Sequence, residues 1–319
     1  MPRIAKLDIS KLTIETITAI DFTPKRVFGK YGKLVVVGDN KLVFYDPKTN
    51  AVTEKTFNEL GIDSVVDVGI GISGTKVVVF DENGIVNSYD VGFTPNWASK
   101  GGGQLAIVGK GKITVCNEDL TGCSSLDVDP NAEFKHVYCN ELGYCVAWAP
   151  AHKQTYHNNQ YTGPDWIIIK NKSIHWYIYF GFFSNKYSLP TIPLDKYVAT
   201  VYEQNNYRTT IEIRNMETKE VEHRYYENMS YSAKGYSICS SQACIANFDK
   251  AILAVKRGEW KTRKLSRSIL SGSIIDSELS YILTVDYNGK GYLVIAGQEV
   301  EEKDVEIEFG GDIFIPLRV

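Results

Sequence analysis

Lys33-Leu34-Val35-Val36-Val37-Gly38-Asp39-Asn40-Lys41-Leu42-Val43-Phe44-Tyr45-Asp46-Pro47-Lys48-Thr49-Asn50-Ala51-Val52-Thr53-Glu54-Lys55-Thr56-Phe57 is three strands and two turns written in one line. Two apolar runs, 34–37 and 42–45, and an alternating run, 51–57, are parted by Gly38-Asp39-Asn40 and by Asp46-Pro47-Lys48-Thr49-Asn50. Gly, Asn and Asp tolerate the positive φ of tight hairpin turns, and Pro pre-sets φ at the first corner of a type I turn. Each joint therefore reverses the chain, and three antiparallel strands are expected.

The same grammar returns along the chain. Strand-like runs 76–80 and 85–89 flank Asp81-Glu82-Asn83-Gly84, and runs 104–108 and 112–116 flank Gly109-Lys110-Gly111. Runs 209–214 and 220–226 flank Asn215-Met216-Glu217-Thr218-Lys219, and runs 280–286 and 292–296 flank Tyr287-Asn288-Gly289-Lys290-Gly291. Hardly any stretch places apolar residues at i, i+3, i+4 and i+7 over ten residues, so the fold class is all-β. Composition agrees: 20 Tyr, 13 Phe and 5 Trp against 3 Met favour pleated, half-buried surfaces.

The units are spaced irregularly, around forty residues apart, and 319 residues over seven is about 46, close to a four-stranded propeller blade. The repeating unit of strand, Gly-Asp-Asn, strand, Asp-Pro-Lys-Thr-Asn, strand resembles the blades of quinoprotein-like and WD-repeat β-propellers, although no Trp-Asp dipeptide or Gly-His pair marks the blades. The resemblance implies a single β-propeller domain over 1–319. Seven four-stranded blades are expected at 22–60, 61–95, 96–130, 131–182, 183–228, 229–266 and 267–319, with 5–21 adding a strand that closes the ring. Six blades, or a pair of β-sandwiches, are the alternatives.

The charge balance is -3 with 23% charged and 44% hydrophobic residues, which excludes disorder and gives no global field for nucleic acid or anionic membrane. The start, Met1-Pro2-Arg3-Ile4-Ala5, is followed by no apolar signal region. The longest nearly uncharged apolar run, 174–183, is too short to span a membrane. A cytoplasmic location is expected.

The 6 cysteines fall into three close pairs, Cys116 and Cys123, Cys139 and Cys145, Cys239 and Cys244, each flanking turn-like residues. Opposed residues of a hairpin lie within disulfide reach, so three cross-strand disulfides are expected. Six free thiols are the alternative. The spacings of the first two pairs are too wide for zinc knuckles, and no C-x-x-C opens a helix. Disulfides without a signal peptide suit a hyperthermophilic archaeon or a virus of one.

No nucleophile elbow, phosphate loop or His-Glu-x-x-His occurs, and neither cofactor nor metal is expected. Asp39, Asp67, Asp81 and Asp286 are scattered at turns and strand ends rather than forming a channel ligand set. Residues 151–164, which hold His152 and His157, read as a long polar loop in which two histidines lack a third ligand. That loop, with Tyr156, His157, Tyr161 and the neighbouring Trp166, is the expected protein-recognition surface, because an insertion on a rigid scaffold is where binding tends to sit. The basic run Lys256, Arg257, Trp260, Lys261, Arg263, Lys264 and Arg267 could grip phosphates with Trp260 stacked on a base, or serve as a charged outer edge. The expected function is a non-enzymatic scaffold for a protein partner. A propeller hydrolase or lyase with a channel site, and nucleic-acid binding through 256–267, are the alternatives.

Overall fold

The structure is a computed structural model that describes residues 3–8, 13–156, 159–180, 190–204, 208–228, 237–246, 252–265, 271–276, 281–285, 290–296, 300–308 and 313–314. The first strands are β1 (Arg3–Asp8) and β2 (Thr13–Ala19), followed by one sheet of β3 (Arg26–Lys30), β4 (Lys33–Val37), β5 (Lys41–Asp46) and β6 (Ala51–Thr56). A single-turn helix, α1 (Phe57–Leu60), leads on. It is closed at its start by a capping box in which the Thr56 side chain accepts from the Glu59 N–H and the Glu59 carboxylate accepts from the Thr56 N–H.

The second four-stranded sheet holds β7 (Ser64–Asp67), β8 (Ile70–Ser73), β9 (Lys76–Asp81) and β10 (Gly84–Asp90). The third holds β11 (Trp97–Gly101), β12 (Gln104–Gly109), β13 (Lys112–Asn117) and β14 (Ser124–Leu126). The fourth comprises β15 (His136–Cys139), β16 (Cys145–Tyr156), β17 (Asn159–Lys170) and β18 (Ser173–Ile178). After β19 (Thr191–Pro193) come β20 (Tyr197–Gln204), β21 (Arg208–Asn215) and β22 (Glu220–Asn228), which form a three-stranded sheet. β19 instead lies parallel to β23 (Ser237–Cys239) and joins β24 (Ala243–Ala246), β25 (Ile252–Arg257) and β26 (Glu259–Lys264). The last strands are β27 (Ser271–Asp276), β28 (Tyr281–Val285), β29 (Lys290–Ala296) and β30 (Val300–Glu308), in one sheet, and β31 (Ile313–Phe314).

Eight sheets are therefore present among the described residues, where seven blades were expected. The difference lies at the two ends of the chain. Rather than adding one strand to the sheet of β27–β30, the N-terminal segment folds back on itself as β1 and β2, and β1 runs parallel to β31. All sheets but the two containing β19 and β31 are purely antiparallel meanders, as short turn-linked strands dictate.

Burial explains the sequence pattern. β4 and β5 are apolar on both faces, with Leu34–Val37 and Leu42–Tyr45 buried, because inner strands of this sheet are covered on both sides. Outermost strands such as β6 and β22 alternate between exposed and partly buried residues, because each forms the edge of its sheet. Apolar clusters sit between successive sheets. Val35, Val37 and Phe44 meet Val65, Val78 and Phe80, while Ala106, Val108 and Val115 meet Val137, Ala147 and Ile167. Tyr197, Ala199 and Ile213 meet Cys239, Cys244 and Ala254.

Two turn glycines act differently from the expectation. Gly38 is in an ordinary backbone conformation, and a Cβ there would lie 2.5 Å from the Phe22 ring, so its role is to admit that ring. Positive φ in this unit falls on Asn50 instead, at 56°. Gly101-Gly102-Gly103 closes the β11–β12 hairpin, and a Cβ on Gly101 would lie 2.1 Å from the Asn140 carbonyl oxygen of the adjacent sheet. Among the described residues no helix is long and apolar enough to cross a membrane.

Candidate functional site

The cysteines pair as the turn spacing suggests. Cys116 is joined to Cys123, Cys139 to Cys145 and Cys239 to Cys244, with Cα separations of 4.1, 3.9 and 4.1 Å. The last two bridge residues directly opposed in the β15–β16 and β23–β24 ladders.

Residues 151–156 and 159–163, expected to be loop, extend the β16–β17 hairpin. β15 accompanies β16 from Cys145 to Trp148, and β18 accompanies β17 from Trp166 to Lys170, so from His152↔Gly163 to Tyr156↔Asn159 the hairpin has no further strand beside it among the described residues. Pro150 and Pro164 mark the change. Neither can donate to a ladder, and the register shifts there, with Ala149 opposite Asp165 but His152 opposite Gly163. Tyr156 and Tyr161 lie in the two strands; their side chains and the whole of His157 lie outside the described residues. Trp166, expected on the recognition surface, lies inside the fourth sheet's packing. It is 0% exposed and packs edge-on against Phe180, because an inward position on a strand covered on both faces leaves no outward path.

The bulge aims His152 at two carboxylates that no motif associates with it. His152 Nε2 lies 3.4 Å from Asp165 Oδ2 and 3.5 Å from Asp129 Oδ2, and Nδ1 lies 2.9 Å from the Pro150 carbonyl oxygen. Asp165 is 0% exposed, and its Oδ1 accepts from Gln154 Nε2 and from the Tyr177 hydroxyl. Asp129 sits in the connection between the third and fourth sheets. Its Oδ1 accepts from the Asn131 N–H at 2.8 Å and its carbonyl from the Ala132 N–H at 3.1 Å, while the Gly111 N–H binds the Ala132 carbonyl at 2.6 Å. Burial disfavours the charged imidazole of His152, but Asp165, the Pro150 carbonyl and Asp129 outweigh it and lift its pKa to about 9. A bulge re-aims a side chain without any sequence motif, and so this cluster was not legible in the order of residues.

The basic run forms the β25–β26 hairpin. Trp260 is 5% exposed, meets Tyr197 edge-on at 5.2 Å and donates from Nε1 to Glu222 Oε2 at 3.0 Å, so its ring is packed rather than free to stack on a base. Lys256 donates to the Tyr197 hydroxyl at 2.7 Å and to Glu222 at 3.0 Å, and Lys264 pairs with Glu227 at 2.9 Å. Burial opposes ionisation of Glu222, but hydrogen bonds from Asn215, Lys256 and Trp260 outweigh it and bring its pKa to about 2. Arg257 donates to the Lys256 carbonyl, Lys261 and Arg263 are exposed, and Arg267 lies outside the described residues.

Of the scattered aspartates, Asp67 is a junction between sheets, bound by Lys30, Ser99 and the Lys100 N–H. Asp81 accepts from the Asn83 N–H within its turn, and Asp39 faces Lys25 at 3.7 Å on the surface. Asp286 lies outside the described residues.

No protein-family model matches the chain, and no curated protein matches it in sequence. Its fold does resemble solved structures. The Dos1 propeller superposes with a TM-score of 0.60 at 8% identity, over 91% of this chain and 85% of that one. BamB from Moraxella catarrhalis gives 0.52 at 9% identity, over 90% and 91%. The tricorn protease gives 0.52 at 9% identity, over 95% of this chain and 37% of that one. The chain has a β-propeller fold, and at such identities the likeness extends no further than the fold.

Proposed function

We propose that this propeller is a non-enzymatic scaffold that receives a partner protein on the outer part of the β16–β17 hairpin. The observation that carries the reading is the pair of open edges. From His152 to Tyr156 and from Asn159 to Gly163 the two strands have each other and no further strand among the described residues. Open backbone donors and acceptors are what an extended partner segment uses when it adds a strand to a sheet. The hairpin grows from a four-stranded sheet whose own core is fully packed, so the edges are presented by a rigid base. Tyr156 and Tyr161 belong to these strands and are the aromatic residues this surface would use.

The same reading takes the eight sheets as blades and the sheet shared by both chain ends as the closure of the ring, supported by the parallel pairing of β1 with β31.

The test is affinity capture from the native host with the full chain as bait, run beside a variant in which 153–162 is replaced by Asn-Gly. The reading expects a protein retained by the parent and lost by the variant, with unchanged circular dichroism. A partner retained equally by both would remove the hairpin from the interface.

A further inference from the structure

We propose that His152, Asp129 and Asp165 form a binding site for one divalent transition-metal cation, of the zinc type, at the base of the β16–β17 hairpin. The proposal is independent of the scaffold reading and rests on where three donor atoms point.

The Pro150 carbonyl 2.9 Å from His152 Nδ1 calls for a proton on that nitrogen. A cation that displaces the second imidazole proton into solvent then meets the lone pair on Nε2, which faces Asp165 Oδ2 and Asp129 Oδ2. Three electron-pair donors thus converge, all within 4.8 Å of one another. Asp165 is 0% exposed, and its Oδ2 has no hydrogen-bond partner although Oδ1 has two; His152 Nε2 is likewise buried without one. A buried carboxylate oxygen left without a donor is costly unless a cation answers it. Among the described residues no lysine or arginine pairs with either aspartate.

Spacing and chemistry favour a small tetrahedral ion. Bonds of about 2.0–2.1 Å to nitrogen and oxygen place neighbouring tetrahedral ligands roughly 3.3–3.4 Å apart. The two Nε2–Oδ2 separations are 3.4 and 3.5 Å. Calcium and magnesium require larger all-oxygen shells, whereas an imidazole with two carboxylates suits zinc. The supports are those of a metal site as well. A backbone carbonyl orients the histidine through its other nitrogen, and Gln154 and Tyr177 fix the buried carboxylate. Three protein donors leave one tetrahedral vertex for water or a small ligand.

The experiment uses the full chain without an affinity tag, stripped with a chelator, dialysed and titrated with Zn²⁺ and with Co²⁺. One equivalent of Zn²⁺ per chain by mass spectrometry, and the intense visible absorption of tetrahedral Co²⁺, are expected. His152→Gln and Asp165→Asn should weaken binding by on the order of 100-fold. Because Asp165 is buried, Asp129→Asn and Tyr177→Phe are measured too, with expected losses of roughly 10- to 100-fold for the supporting tyrosine. The Asn-Gly hairpin variant keeps all three ligands but loses Gln154, so metal binding is judged on the point variants, whose hairpin is intact, and failed partner capture and failed metal binding stay separable results. Sub-stoichiometric binding, a weak octahedral-type Co²⁺ spectrum, or equal affinity in parent and variants would overturn the site and leave His152 as an imidazolium between two carboxylates.

Discussion

Lys30 Nζ donates to Asp67 Oδ2 at 2.6 Å and so ties the end of β3 to the end of β7. The same oxygen accepts from Ser99 Oγ at 2.6 Å and from the Lys100 N–H at 3.0 Å on β11, so one carboxylate joins three sheets. The two side chains are 10% and 8% exposed. Removing one member of such a buried pair strands the other charge, at a cost of about 3–5 kcal/mol. Asp67→Ala should show that loss in urea unfolding, and a Lys30→Met, Asp67→Leu double variant should recover most of it. A loss below roughly 1 kcal/mol in Asp67→Ala would mean that the junction contributes little.

Oxidation state is measurable directly. Denatured, non-reduced protein should yield no free thiol by Ellman titration, since all 6 cysteines are bridged. The loops closed span sequence separations of 7, 6 and 5 residues. Loops this short constrain the unfolded chain by only about 2 kcal/mol each. The Cys239→Ser, Cys244→Ser double variant should therefore fold and melt at a lower temperature than the parent.

Strands and cysteine pairs were legible because both are local: an alternating or apolar run closed by turn residues needs no distant partner. What the sequence hid depends on neighbouring sheets. Gly38 reads as a turn residue, yet its lack of a side chain serves Phe22. Trp166 and Trp260 read as aromatic handles in polar company, yet both rings are covered by adjacent strands. His152 reads as loop because its surroundings are polar, yet the bulge between Pro150 and Pro164 turns it toward Asp129 and Asp165. The division at the chain ends was hidden for the same reason, since pairing of β1 with β31 joins the most distant residues of the sequence.

Trp260 separates a structural from a recognition role in the basic hairpin. Its ring fills the contact between Tyr197 and the β25–β26 hairpin, so Trp260→Ala should lower stability by about 3–5 kcal/mol. Trp260→Phe keeps most of that packing and removes the bond to Glu222, with an expected loss of roughly 1.5–3 kcal/mol. Losses in this order by chemical denaturation support the packed role. A variant as stable as the parent that instead lost a salt-dependent nucleic-acid complex would support the other.

His136 makes acid stability testable at one side chain. It lies on β15 between Trp97, whose ring centroid is 4.8 Å away, and Tyr138, stacked at 5.8 Å, and its Nδ1 is buried without a hydrogen-bond partner. Burial first, then the nearby charges of Arg26 and Lys135, lower its pKa from 6.5 to about 4. In the unfolded chain the ring titrates near 6.5, so between those values the unfolded state binds more protons than the folded one. Stability from this group is complete above pH 6.5 and is lost as pH falls toward 4, by roughly 2–3 kcal/mol. Burial lowers the pKa of His223 too, which gives the parent a second slope of the same sign. His136→Phe should therefore flatten, without abolishing, the fall in unfolding free energy between pH 6.5 and 4. The difference between the two stability curves isolates His136, and parallel curves would show that its imidazole is protonated in the folded protein as readily as in the unfolded one.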